Sequence, residues 1–220
     1  MTRSGSTIDR LGVPGALMPL LHTSAGQPYQ RFQPPKVAAA AELLELTVRG
    51  DVQVVDGAVV AARATTDGPA WRDEVSADLA RRCSGGGAVR LATWLRLRRG
   101  ALAVQQAAAV TAGALRPGRG RLLGLIPYRT RVPDAAVRAA VIAELTERSG
   151  SPSARVAALA GLVHGAKIEA VLDLDAHRRA ALADAAADAP AGGPGDQVAA
   201  SVQAANAALA TVLYLQLAGD

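Results

Sequence analysis

Hydrophobic positions along this chain recur at helical spacing for most of its length and at alternate residues in a few short windows. After Pro34 and Pro35, the run VAAAAELLELTV predicts a helix that stops near Gly50, with Ala39, Leu43 and Leu46 facing a core. VQVV and AVVAA flank Asp56-Gly57, and a two-residue hairpin turn needs such a pair because both central positions take positive φ. Trp71, Val75 and Leu79 then share one face of a short helix, and AVRLATWLRLRR and ALAVQQAAAVTAG follow as two further helical pieces. Residues 115–118 and 121–126 read as the strands of a second hairpin, with arginines fringing its turn.

From Asp134 onward the pattern is helical. Asp134 can cap a helix carrying Val137, Val141 and Leu145, Ser153 starts another, and Asp175 caps a third. PAGGPGD, residues 190–196, reads as a connector to a closing uncharged segment from Gln197 to Gly219. That segment is long enough to span a bilayer, but Gln197, Ser201, Gln203, Asn206 and Gln216 suit a helix inside a bundle better than one in lipid. Residues 1–15 read as a flexible N-terminus and ALMPLLHTSAGQPYQRF as an irregular hairpin, with 16–220 forming one domain. The expected fold is mainly α: a helical bundle around a central hydrophobic C-terminal helix, with small peripheral β-hairpins.

Composition agrees with this pattern. Half of the residues are hydrophobic but only 3% are aromatic, so the core must be built from Ala, Leu and Val, which suits closely packed helices. Cys83 stands alone, which excludes an internal disulfide framework, and the N-terminal apolar run, broken by Pro14 and Pro19, does not read as a signal peptide. Both features lead to the expectation of a cytoplasmic protein.

Charge changes the picture more. The net charge is +5, yet residues 1–140 hold 19 basic and 10 acidic side chains while 141–220 hold 5 and 9. Between Leu79 and Pro133 there are eleven arginines and no aspartate or glutamate, five of the arginines lying in RPGRGRLLGLIPYRTR. Such a segment creates a positive field suited to a polyanion: lipid headgroups, phosphorylated ligands or nucleic acid. Arg99, Arg119, Arg121, Arg129 and Arg131 are the candidate anion-binding residues.

Catalytic signatures are missing. There is no HExxH, no paired CxxC, no GxSxG and no complete phosphate-binding loop, since Gly85-Gly86-Gly87 lacks the Lys-Ser or Lys-Thr that would follow. His22, His164 and His177 are too scattered to suggest a zinc site. Cys83 beside Arg81 and Arg82 has neighbours that could lower a thiol pKa, but no base is placed near it. Neither a catalytic residue, a cofactor nor a metal is expected.

Three stretches in order, ELLELTVRGDVQV, LRPGRGRLLGLIPYRTRVP and SARVAALAGLVHGAKIEAVL, resemble segments of the Golgi phosphoprotein 3 family, whose bacterial members are common in actinomycetes. The likeness extends over about residues 16 to 218. It implies a mainly helical fold around a central hydrophobic helix, with peripheral hairpins. Eukaryotic members are non-enzymatic peripheral membrane proteins that bind phosphatidylinositol 4-phosphate and hold glycosyltransferases by their cytoplasmic tails. Carried over residue by residue, the first arginine of the family's lipid pocket falls on Ala39 and its tryptophan near Gln30, while two further basic positions fall near Arg99 and Leu102. The departures at Ala39 and Gln30 argue against strict phosphoinositide specificity.

The leading expectation is therefore a non-enzymatic adaptor, cytoplasmic or peripheral on the inner face of a membrane, that binds anionic lipid headgroups through an arginine-rich face and takes the cytoplasmic tails of membrane proteins as partners. Two alternatives stand beside it: a nucleic-acid-binding helical protein with a basic hairpin, and a protein-interaction domain without lipid binding. Scarce aromatics and the lack of a basic recognition helix argue against nucleic acid.

Overall fold

A computed structural model of the chain describes residues 5–122, 126–147, 152–187 and 196–217. Most of the described path is helical: α1 (Thr7–Leu21), α2 (Pro34–Val48), α3 (Ala70–Cys83), α4 (Leu91–Leu97), α5 (Ala101–Thr111), α6 (Ala135–Thr146), α7 (Ala154–Gly165), α8 (Ala176–Ala187) and α9 (Asp196–Leu217). Two small antiparallel sheets complete it. β1 (Val52–Val55), β2 (Ala58–Ala62) and β3 (Val89–Arg90) form one, in that order, and β4 (Leu115–Leu122) and β5 (Ile126–Pro133) form the other. The expected class, mainly α with small β-hairpins, is the class observed.

Local chemistry accounts for several element ends. Asp56 and Gly57 take φ of 47° and 71° and turn β1 into β2 as their sequence predicts. Asp134 accepts from the N–H groups of Ala136 and Val137 to start α6, Ser153 accepts from Val156 to start α7, and Asp175 accepts from Arg178 at the start of α8. The connector expected at 190–196 lies outside the described residues apart from Asp196.

The helix at the centre is α2, not the C-terminal one. Every residue from Val37 to Thr47 is buried, and α2 touches α1, α3, α4, α5, α7, α9 and β1. α9 packs on α2 and α7 through Ala205, Leu209 and Leu213, but it leaves Ala207, Thr211 and Tyr214 exposed, so it is an outer layer of the bundle. No helix among the described residues is long and apolar enough to cross a membrane.

The N-terminus also departs from expectation. In place of a loose segment, residues 7–21 form α1, with Ile8, Val13, Leu17, Leu20 and Leu21 completely buried, and the expected irregular hairpin is reduced to a turn closed by an antiparallel bridge between His22 and Pro28. Gly12 breaks the helical backbone inside α1, and carboxylates from other helices take N–H groups at the helix start and at the break. The Glu144 carboxylate accepts from the Ser6 hydroxyl and from the N–H groups of Thr7 and Ile8, and Glu45 accepts from Val13 N–H at 2.9 Å. Burial opposes the charge on Glu144, but those donors hold its carboxyl below the ordinary value.

Two carboxylates one turn apart on α2 carry the main long-range ties. Glu42, with no exposed surface, accepts from Arg98 Nε at 2.9 Å and from Gln105 Nε2 at 2.8 Å, and Arg98 also reaches Glu74 of α3 at 2.9 Å. Glu45 is bound by Arg155 of α7 at 2.7 Å. Burial pushes the Glu42 carboxyl up, against the hydrogen bonds from Arg98 and Gln105, so this charge is kept in the interior only by its partners. Arg98→Ala should therefore destabilise the fold by about 3–5 kcal/mol in urea titrations, because an uncompensated carboxylate stays buried. A Glu42→Gln, Arg98→Met double variant should recover most of that loss.

Candidate functional site

The acid-free stretch is acid-free in sequence but not in space. Asp78 pairs with both Arg81 and Arg82, Glu42 and Glu74 share Arg98, and Asp134 pairs with Arg116. Among the described residues no acid pairs with Arg90, Arg96, Arg99, Arg119, Arg129 or Arg131. Pairing thus removes several of the eleven arginines from consideration and leaves a smaller free set.

The free arginines of the hairpin converge. β4 and β5 pair over eight positions, from Leu115 opposite Pro133 to Leu122 opposite Ile126. Directly opposed residues share a face of the ladder, so Arg119 faces Arg129 across the strands, and Pro117 faces Arg131 one step along on the same side. With Gly118 and with Ala107 and Val110 of α5, these residues line a hollow of about 540 Å³. Of the five sequence-predicted site residues, Arg119, Arg129 and Arg131 meet here. Arg121 pairs with Pro127 in the ladder, and its side chain lies outside the described residues. Arg99 is exposed but precedes the first turn of α5, about 16 Å along that helix from its C-terminal end, and it does not line the hollow.

The expected hairpin exists with different strands. Residues 119–120, expected between the strands, lie inside β4, which runs through Pro117 and Gly118 to Leu122, and β5 begins at Ile126. A two-stranded ladder has only edge strands, so a proline without an N–H is tolerated there. The alternation Gly118, Arg119, Gly120 has a second use: side chains added at Gly118 or Gly120 would run into Thr130 or Tyr128, which fold across them on the other face. The strict alternation of Arg with Gly from Gly118 to Arg121 was the available signal for this face, and ending the first strand at Gly118 masked it.

The loop after α1 braces the arginine strand. Gly26 O accepts from Arg131 N–H at 3.0 Å, and Gln27 donates to the Tyr128 hydroxyl. Gly26 has φ +83°, and a Cβ there would sit 2.9 Å from the backbone of Arg131 and Val132. Beside it His22 is completely buried, with Nδ1 2.8 Å from Met18 O and Nε2 2.9 Å from Gln106 Nε2 on α5. A carbonyl can only accept, so Nδ1 carries the proton and Nε2 accepts from Gln106; the ring is neutral. Burial lowers its pKa despite the Met18 hydrogen bond, and the charges of Arg131 and Arg138 lower it further.

The place of the resemblance-derived pocket's first arginine is buried, and the place of its tryptophan holds a polar amide. Ala39 is completely buried in α2, and Gln30 is exposed in the short 3₁₀ turn Gln30–Phe32. Leu102 is half-buried in α5. Cys83 is not activated either: burial pushes its thiol up, and its Sγ lies 3.6 Å from Val59 O.

Helices layered on a buried α2 and a basic hairpin at their side define a helical scaffold that displays a cationic surface. The model of the Golgi phosphoprotein 3 (GPP34) family matches residues 19–209, and the chain belongs to that family. No curated protein matches the chain significantly.

Two outcomes are expected from this geometry. Gly26→Ala should lower stability by about 1–3 kcal/mol in thermal unfolding, because the new methyl strains the φ and presses on the hairpin backbone. As pH falls below the unfolded histidine value of 6.5, the unfolded chain takes up a proton that folded His22 refuses, so stability should decline until the folded pKa is reached. Unfolding measured from neutral to mildly acidic pH should show this slope, and a His22→Gln variant should flatten it.

Proposed function

We propose that this protein is a non-enzymatic peripheral adaptor that seats anionic lipid headgroups on the arginine face of β4–β5. The observation that supports this reading is the facing of Arg119 and Arg129, with Arg131 beside them, around a hollow whose lining includes no carboxylate among the described residues. Like charges opposed across a ladder repel, and a bound anion turns that repulsion into a bidentate grip. Guanidinium groups stay protonated at neutral pH, so they offer an anion charge and hydrogen bonds but no general acid–base chemistry.

The sequence between the strands adds to it. Leu122-Leu123-Gly124-Leu125-Ile126 is wholly uncharged and apolar, and arginines stand on both sides of it. An apolar stretch fringed by basic residues suits the boundary between headgroups and acyl chains. Each arginine near an anionic surface contributes about 1 kcal/mol, so this group gives reversible, salt-sensitive attachment. Membership of the Golgi phosphoprotein 3 family supports the adaptor role, with cytoplasmic tails of membrane proteins as clients on the inner face of the membrane. Buried Ala39 and exposed Gln30 favour recognition by charge over strict phosphoinositide recognition.

Co-sedimentation with vesicles tests the proposal. The protein should pellet with phosphatidylglycerol-containing vesicles at low salt and stay in solution with phosphatidylcholine alone. Arg119→Glu with Arg129→Glu should reduce the bound fraction constant by about tenfold or more. Equal recovery on neutral and anionic vesicles would sink the idea.

A further inference from the structure

On the side of α5 opposite the arginine hollow lies a second cavity of about 380 Å³. Gln105, Ala108 and Ala112 of α5 face it, whereas Ala107 and Val110 face the hairpin. The first turn of α3, the kinked part of α1, the end of α2 and Arg155 of α7 make its other walls.

Arg72 is the anomaly in this cavity. It is only 6% exposed, and its Nε has no hydrogen-bond partner among the described residues. Its one acid, Asp67 at 2.8 Å, is itself 74% exposed in its side chain. Arg72 is also the third residue of α3, in the first turn, where the helix dipole disfavours a cation, and no side chain caps that end. The chain even forgoes a side chain at Gly68, where a Cβ would collide with the Arg72 guanidinium. A buried, half-satisfied cation at the positive end of a helix is costly unless an anion meets it.

The surroundings narrow the class of anion. Arg10 is exposed and has no acid partner among the described residues, whereas Arg49 is tied to Asp51 at 3.4 Å and Arg155 holds Glu45 and Asp9 at 2.7 and 3.9 Å. With Asp67 on Arg72, only Arg10 of the four lining arginines is left without an acid, which suits a single negative charge better than a dianion. Trp71 lies next to Arg72, and Leu11, Pro14 and Pro69 continue an apolar wall suited to a flat ring.

We infer that this cavity is a binding site for a small planar monoanion, of the aromatic carboxylate class, whose carboxylate meets Arg72 and Arg10 and whose ring lies along Trp71. The site is separate from the hairpin face and does not rest on lipid binding.

The chain has two tryptophans, so Trp94→Phe leaves Trp71 as the sole reporter. Titration of that folded variant with benzoate should give a saturable change in Trp71 emission below about 10 mM, and calorimetry on the unaltered protein should give the same constant. Benzyl alcohol, which lacks the charge, and inorganic phosphate, which lacks the ring, should each bind at least about tenfold more weakly. Arg72→Leu should abolish the response. Because that change also removes an ion pair, Arg10→Ala, at an exposed position, should weaken benzoate several-fold in a protein of unchanged circular dichroism. Arg119→Glu with Arg129→Glu should leave benzoate binding intact. The inference is overturned by the absence of a saturable benzoate signal in folded protein, by equal binding of benzyl alcohol or phosphate, or by an Arg10→Ala variant that binds as before.

Discussion

Two buried carboxylates hold this fold in register. Glu42 and Glu45 sit in the middle of an otherwise apolar helix, and neither is tolerable there alone. Arg98 brings the α4–α5 junction to Glu42 and ties it to α3 through Glu74. Arg155 brings α7 to Glu45, and Glu45 also takes the Val13 N–H at the place where α1 kinks. An all-alanine and leucine interface would let helices slide with little change in energy, whereas charged partners satisfied in one arrangement penalise every other. In this chain, the ionic pairs serve position more than strength.

That arrangement decides what the arginines can do. Arginines whose guanidinium lies near Glu42, Glu74, Asp78 or Asp134 are structural, and those on the inner row of the hairpin are free. The distinction is invisible in composition, because Arg98 and Glu42 are 56 residues apart and Arg155 and Glu45 are 110 apart. A charge run marks where positive residues are abundant, and only the fold says which of them still lack a counterion.

The legible parts of the sequence were those in which local chemistry was sufficient. Asp56-Gly57, the prolines before α2, and the caps at Asp134, Ser153 and Asp175 each acted through neighbours a few residues away, and each landed where expected. α1 was not legible, because Gly12, Pro14 and Pro19 are breakers by every local rule, while the Glu45 carboxylate that takes the Val13 N–H beside the break and the Glu144 carboxylate that caps the first turn come from other helices. The arginine face was half legible: the cluster was plain, but placing the strands at 115–118 and 121–126 left Arg119 between them and hid the pairing that sets it opposite Arg129. The centre of the bundle was misassigned between two apolar helices because hydrophobicity alone does not rank depth; α2, which carries two glutamates, lies deeper than uncharged α9.

α5 is a partition with a different hollow on each side, and it is built almost wholly of small side chains. A wall made of alanine is about one helix backbone thick, so whatever displaces it on one side is registered on the other without any intervening chain of large residues. Gln105 and Gln106 are the exceptions, one fastened to Glu42 at the fold's ionic centre and the other to His22 under the hairpin. Those two amides anchor the partition, one to a carboxylate and one to a neutral imidazole.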